Sequence, residues 1–152
     1  MERSGGGLDS PCTVCDHPMD AERLQERVLI VDDDPSFRTY LDLRLQRESA
    51  STYQAPSAEE ALEALEAFGP TVMIVDVVLP GMTGLDLVRQ LRGDGVHRRL
   101  PILILTGADH SAEVGDVVGL GLAWYLRKDA AWPLVQRTLR NLTARAREAT
   151  LV

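Results

Sequence analysis

The chain carries only two cysteines in 152 residues, Cys12 and Cys15. That excludes a disulfide scaffold. With His17 they offer at most three ligands, whereas a closed zinc site needs four. PCTVCDHP therefore reads as two reduced thiols in an extension. Half of a zinc site completed by a second chain, or a redox pair, are the alternatives. No apolar stretch approaches the ~20 residues of a membrane span. The N-terminus MERSGGGLDSP lacks the apolar region of a secretory signal, so the cytoplasm is the expected compartment. Basic residues are in deficit, sixteen against twenty-three acidic, for a net charge of -7. Such a balance disfavours nucleic acid and anionic membranes as partners and suits cations. Internal repeats and low-complexity blocks are absent.

What is present is an alternation. Residues 1–26 are Gly-rich and polar and read as an extension; 27–147 form one domain and 148–152 a C-terminal tail. Short apolar runs occur at Val28–Val31, Val72–Val75, Leu100–Leu105 and Trp124–Leu126, with a weaker one at Thr52–Ala55. Segments of helical period lie between them, such as Phe37, Leu41 and Leu45. Ser57-Ala-Glu-Glu60 opens one helix as a capping box. Trp132, Val135, Leu139 and Leu142 mark the last. The helix expected between Ser111 and Leu120 is the poorest, since Gly115 and Gly119 each cost it about 1 kcal/mol against Ala. Five strand–helix alternations predict an α/β fold, a three-layer (βα)5 doubly wound parallel sheet. All strands then point one way, and their carboxyl ends share one edge, where ligands of open α/β sheets bind.

That edge collects chemistry. Asp32, Asp33 and Asp34 follow the first run, Asp76 the third, Thr106 the fourth and Lys128 the fifth. Asp76 interrupts VMIVDVVLP, a stretch otherwise free of charge, so hydrocarbon crowds its carboxylate and a cation must compensate it. Several carboxylates, a hydroxyl and an ammonium suit a divalent cation, Mg²⁺ or Mn²⁺, together with a phosphoryl group. Asp34 precedes Pro35 at the first helical position and is expected to cap the first helix rather than bind metal.

These stretches, VLIVDDDPSFR, IVDVVLPGMTGLDLVRQLR, PILILTG and YLRK, resemble the response-regulator receiver domains of bacterial two-component signalling from Val28 to about Leu142. Spacings of 30 residues from Asp76 to Thr106 and 52 to Lys128 fit that family's register. The resemblance implies a flavodoxin-like strand order, 2-1-3-4-5. It implies Asp76 as phospho-acceptor and Asp33 as a direct Mg²⁺ ligand, with Asp32 acting mainly through metal-bound water. The backbone carbonyl of Val78 would complete the protein ligands. Lys128 would hold a phosphoryl oxygen, Thr106 would bond the phosphate, and Tyr125 would be the aromatic that moves inward. Pro80 and Gly84 match the loop after the third strand. A histidine kinase or histidine phosphotransfer protein would be the donor, an unnamed protein the downstream partner, and a homodimer one form of the chain. The only enzymology implied is self-phosphorylation and dephosphorylation.

The chain also departs from the pattern. Asp129 stands where the family has proline and could offer Lys128 a competing charge contact. Val78 and Ala108, each two residues past a key position, cannot orient an attacking water. A receiver-like interaction module that is never phosphorylated is therefore a second reading. A third is a haloacid-dehalogenase-like phosphatase, with Asp32 as nucleophile and Asp34 as acid/base in VDDDPS.

Overall fold

The computed structural model describes residues 26–107, 114–115, 119 and 121–151. Among these residues five strands run β1 (Arg27–Val31), β2 (Ser51–Ala55), β3 (Val72–Asp76), β4 (Ile102–Thr106) and β5 (Ala123–Arg127). The helices among the described residues are α1 (Pro35–Gln46), α2 (Ala58–Phe68), α3 (Gly84–Gly93) and α4 (Trp132–Leu151). The strands form one sheet in the order β2-β1-β3-β4-β5, every pair parallel. This is the doubly wound, flavodoxin-like arrangement expected of the chain.

Period-two alternation explains the two cores. Leu29, Val31, Met73, Val75, Ile102 and Ile104 point to one face, where Ala61 and Leu65 of α2 and Leu87, Val88 and Leu91 of α3 cover them. Val28, Ile30, Val72, Ile74, Leu103 and Leu105 point to the other, under Leu41 and Leu45 of α1 and Val135, Leu139 and Leu142 of α4. The central strands β3 and β4 are buried at every residue. The edge strands β2 and β5 are not, which is why their apolar runs are weak in the sequence.

Helix starts follow side-chain chemistry. Asp34 Oδ1 accepts the Ser36 N–H at 3.0 Å, with Pro35 at the start of α1. Ser57 Oγ accepts from Glu60 N at 3.2 Å and Thr83 Oγ1 from Asp86 N at 3.1 Å. Gly69 closes α2 in the left-handed conformation, φ 64°. The last helix takes in residues 148–151. The helix expected between Ser111 and Leu120 lies largely outside the described residues; Val114 and Gly115 are helical, and Val114 is fully buried. No helix among the described residues is long and apolar enough to cross a membrane.

Candidate functional site

The sheet brings the strand ends together as the parallel order requires. β1 and β3 are neighbours, with Val31 level with Val75, so Asp32 and Asp76 emerge side by side. Oxygens from Asp32, Asp33 and Asp76 all lie within 4.8 Å of one another. Asp32 and Asp76 are buried, at 3% and 6% exposure, while Asp33 faces solvent. Two buried carboxylates in contact would repel strongly. Lys128 relieves this: its Nζ lies 2.7 Å from Asp32 Oδ2 and 3.0 Å from Asp76 Oδ2.

The loops fix the donors. Asp32 Oδ1 accepts from Asp34 N at 2.9 Å, and Asp76 Oδ1 from Val78 N at 3.3 Å. Lys128 N donates to the Thr106 carbonyl at 2.8 Å, tying the loop after β5 to the end of β4. Gly84 has a steric duty. A Cβ there would sit 1.9 Å from the Asp76 carbonyl oxygen, so α3 can start against the end of β3 only with glycine.

Burial pushes the Asp76 carboxyl above the usual aspartate range and Asp32 adds to this, while the Lys128 hydrogen bond and charge and the Val78 N–H pull it down. For Lys128, burial lowers the pKa, but hydrogen bonds and charge from Asp32 and Asp76 outweigh it and raise the ammonium above its ordinary value. The pair is thus an ammonium held by its partners beside a carboxylate that burial makes reluctant to ionise. The donor set fits a hard divalent cation: oxygen-only ligands, an open side at Asp33, and a carboxylate whose charge lacks full compensation.

Most of the expected residues meet at this edge. Asp32, Asp33, Asp76 and Lys128 are in the cluster, and Thr106 is buried at the end of β4 beside it. Val78 lies two residues beyond Asp76 and is 59% exposed. Tyr125 lies apart, two residues before the end of β5, half-buried against the α2/α3 core with its ring 6.0 Å from that of Trp124. The competing contact expected of Asp129 goes elsewhere, to Arg127 Nε at 3.3 Å. Cys12, Cys15 and His17 lie outside the described residues.

This constellation on this sheet order decides the kinship. The family described as the response regulator receiver domain matches residues 28–140. The chain belongs to that family. The response regulator MprA of Mycobacterium tuberculosis is 35% identical over 121 residues, 80% of this chain and 52% of MprA. The DNA-binding response regulator MtrA of Mycolicibacterium smegmatis is 35% identical over 99 residues, 65% of this chain and 41% of MtrA. The chain therefore spans about half, or less, of the length of these curated relatives. Among solved structures, a putative response regulator from Chloroflexus aurantiacus superposes with TM-score 0.72 at 31% identity, covering 80% of this chain and 99% of that one. A sensor protein from Polaromonas sp. JS666 gives TM-score 0.73 at 28% identity over 81% of this chain and 99% of that one.

Three receiver residues at this edge escaped the reading of the sequence. Phe37 faces the site, its ring centroid 4.7 Å from Lys128 Nζ, a cation–π contact that helps hold the ammonium. Its place in an apolar helical period made it look like core alone. Arg38 Nη1 donates to the Asp32 carbonyl at 2.6 Å, and its Nε to Gln54 Oε1 at 3.2 Å. Glu59 of α2 accepts from Met82 N at 3.1 Å, reaching the loop that follows Asp76. No local signal marks the last two, because their partners lie on other elements.

Proposed function

We propose that this chain is a phospho-accepting receiver, modified on Asp76 in a Mg²⁺-dependent reaction with a histidine kinase, a histidine phosphotransfer protein or a small acyl phosphate. The observation that carries this is Lys128 Nζ bridging the buried carboxylates of Asp32 and Asp76 beside an exposed Asp33. Asp33, Asp76 and the Val78 carbonyl would hold Mg²⁺, or Mn²⁺, directly and Asp32 through water. The ion would supply positive charge that screens the incoming phosphoryl oxygens.

The chain's own groups do the rest. An Asp76 oxygen attacks phosphorus, and the bond from phosphorus to the donor breaks with its electron pair leaving on the donor. Lys128 stabilises charge on an equatorial oxygen. Its ammonium is bound to carboxylates on both sides, so it is held in place before a donor arrives. Acid/base help at Asp76 is unnecessary, because the acceptor reacts as the carboxylate. Thr106, buried at the adjacent strand end, would bond the new phosphoryl group. A shift there would pass along β4 and β5 to Tyr125 and α4, changing a face for a downstream protein or a second copy. On this reading the chain acts in the cytoplasm, performs chemistry only on itself and binds neither nucleic acid nor membrane.

Incubation with acetyl phosphate and Mg²⁺ tests the reading by intact mass. The wild type should gain one phosphoryl mass, and should fail to gain it when Mg²⁺ is left out of the reaction or as Asp76→Asn. An unmodified wild type under these conditions would favour the interaction module. The phosphatase alternative is weakened by Asp34, whose Oδ1 is engaged in capping α1.

A further inference from the structure

The loop from Val77 to Thr83 decides where two of the proposed metal ligands sit, Asp76 at its start and the Val78 carbonyl within it. It is held from three sides. Gly84 N donates to the Val77 carbonyl at 3.1 Å, and Gly84 itself packs on the Asp76 carbonyl. Val78 N holds Asp76 Oδ1 at 3.3 Å. The third hold comes from α2. Glu59 Oε2 accepts the Met82 N–H at 3.1 Å, next to Gly81, which has φ +73°. A Cβ at Gly81 would lie 3.0 Å from that same carboxylate oxygen, so the carboxylate lies close against the turn.

Glu59 also joins the two halves of the site. It opens the helix whose N-cap is Ser57, directly after β2, and β2 ends with the Ala55 carbonyl accepting from Asp32 N at 3.1 Å. One rigid path therefore leads from the backbone of Asp32, through the end of β2 and the start of α2, to the loop that carries Asp76 and Val78. Of the four acidic residues on α2, Glu59, Glu60, Glu63 and Glu66, Glu59 is the one seen bonded to that loop.

We infer that Glu59 is a positioning residue for cation binding at Asp76. Its carboxylate fixes the turn at Gly81–Met82 and so keeps the Val78 carbonyl and the Asp76 carboxylate in register with Asp32 and Asp33. Glu59 does not touch the cation or the phosphoryl group; it acts through Met82 and the loop. This rests on the receiver reading above and deepens it. Without the clamp, the loop would sample other turns, and each cation bound would have to reorder it. One hydrogen bond of this kind is worth about threefold to tenfold in an equilibrium.

The test uses the full chain with Glu59→Ala and Glu59→Gln. Two readouts are needed, calorimetric titration with Mg²⁺ alone and amide hydrogen exchange of Met82 without metal. Glu59→Ala should weaken Mg²⁺ binding by about threefold to tenfold and speed Met82 exchange by a similar factor. Exchange of the buried β3 and β4 amides should stay as in the wild type, which a merely structural defect would not allow. Glu59→Gln keeps an acceptor oxygen and should stay within about twofold of the wild type in both. Faster Met82 exchange with unchanged Mg²⁺ affinity would overturn the positioning role while leaving the receiver reading intact. Glu59→Gln as impaired as Glu59→Ala would overturn the hydrogen-bond argument. A wild type with no Mg²⁺ affinity would overturn the receiver reading, and the positioning role with it.

Discussion

Replacing Lys128 by methionine keeps the length of the stem and removes the charge. Asp32 and Asp76, 3% and 6% exposed, are then left facing each other with no cation between them. Removing one partner of a buried pair costs about 3–5 kcal/mol. The Lys128 side chain is 22% exposed, so water softens the loss and the lower figure, ~3 kcal/mol, applies. For a chain of this size that is a fall of about 6–12 °C in Tm. The sign depends on what else can neutralise the carboxylates. A divalent cation held by Asp33 and Asp76, with Asp32 reached through water, would supply compensation that Lys128 supplied, and the variant site would no longer repel it with an ammonium. Saturating a site at a hundredfold excess over Kd adds about 2.7 kcal/mol. Thermal unfolding followed by circular dichroism, with EDTA and with millimolar Mg²⁺, should therefore show a wide gap between variant and wild type without metal. With Mg²⁺ the gap should shrink to less than half. An equal gap under both conditions would refute the shared role of ammonium and cation, and so would a gap below about 1 kcal/mol in EDTA.

Asp76 titrates above its unfolded value, so its contribution to stability is fullest at low pH and is lost as pH rises through the raised folded pKa. Asp76→Asn should accordingly be more stable than the wild type at neutral pH in EDTA, with the advantage fading towards the ordinary aspartate pKa of 3.8; a constant difference across that range, read by urea denaturation, would contradict the burial argument. Gly84→Ala forces a Cβ to within 1.9 Å of the Asp76 carbonyl unless α3 retreats, and should cost about 1–3 kcal/mol while weakening Mg²⁺ binding; an unchanged denaturation midpoint would show that the helix yields freely. If Asp76 takes the phosphoryl group as proposed, Val78 sets beside it an exposed apolar side chain that cannot orient water, so the aspartyl phosphate should hydrolyse slowly and Val78→Asn should hasten it. A wild-type lifetime of seconds, measured by phosphate release, would refute that.

The sequence exposed most of what depends on local pattern. The central strands are legible because β3 and β4 are buried on both faces and read as unbroken apolar runs, and Asp76 stands out against one of them. The Asp34 cap is legible because an acidic residue before proline has a local job. Strands β2 and β5 are faint because edge strands need no apolar residue on both faces. Asp32, Asp33 and Lys128 are recognisable as strand-end residues, but their meeting depends on strand order, which only the family resemblance supplied. Glu59 and Arg38 are invisible at the level of pattern: each looks like an ordinary solvent-facing helix residue, and each acts on a backbone group of another element. Phe37 was legible as apolar but not as the ring beneath Lys128, since period alone does not say which end of a sheet a side chain overhangs.

On the receiver reading, one carboxylate among the clustered aspartates takes the phosphoryl group. Reduction with borohydride after reaction with acetyl phosphate and Mg²⁺ converts an acyl phosphate into homoserine at the modified residue, which peptide mass spectrometry then locates. Homoserine at position 76 alone is the expected result. Homoserine at position 32, the nucleophile of a phosphatase reading, or at no position despite full saturation with Mg²⁺, would contradict it.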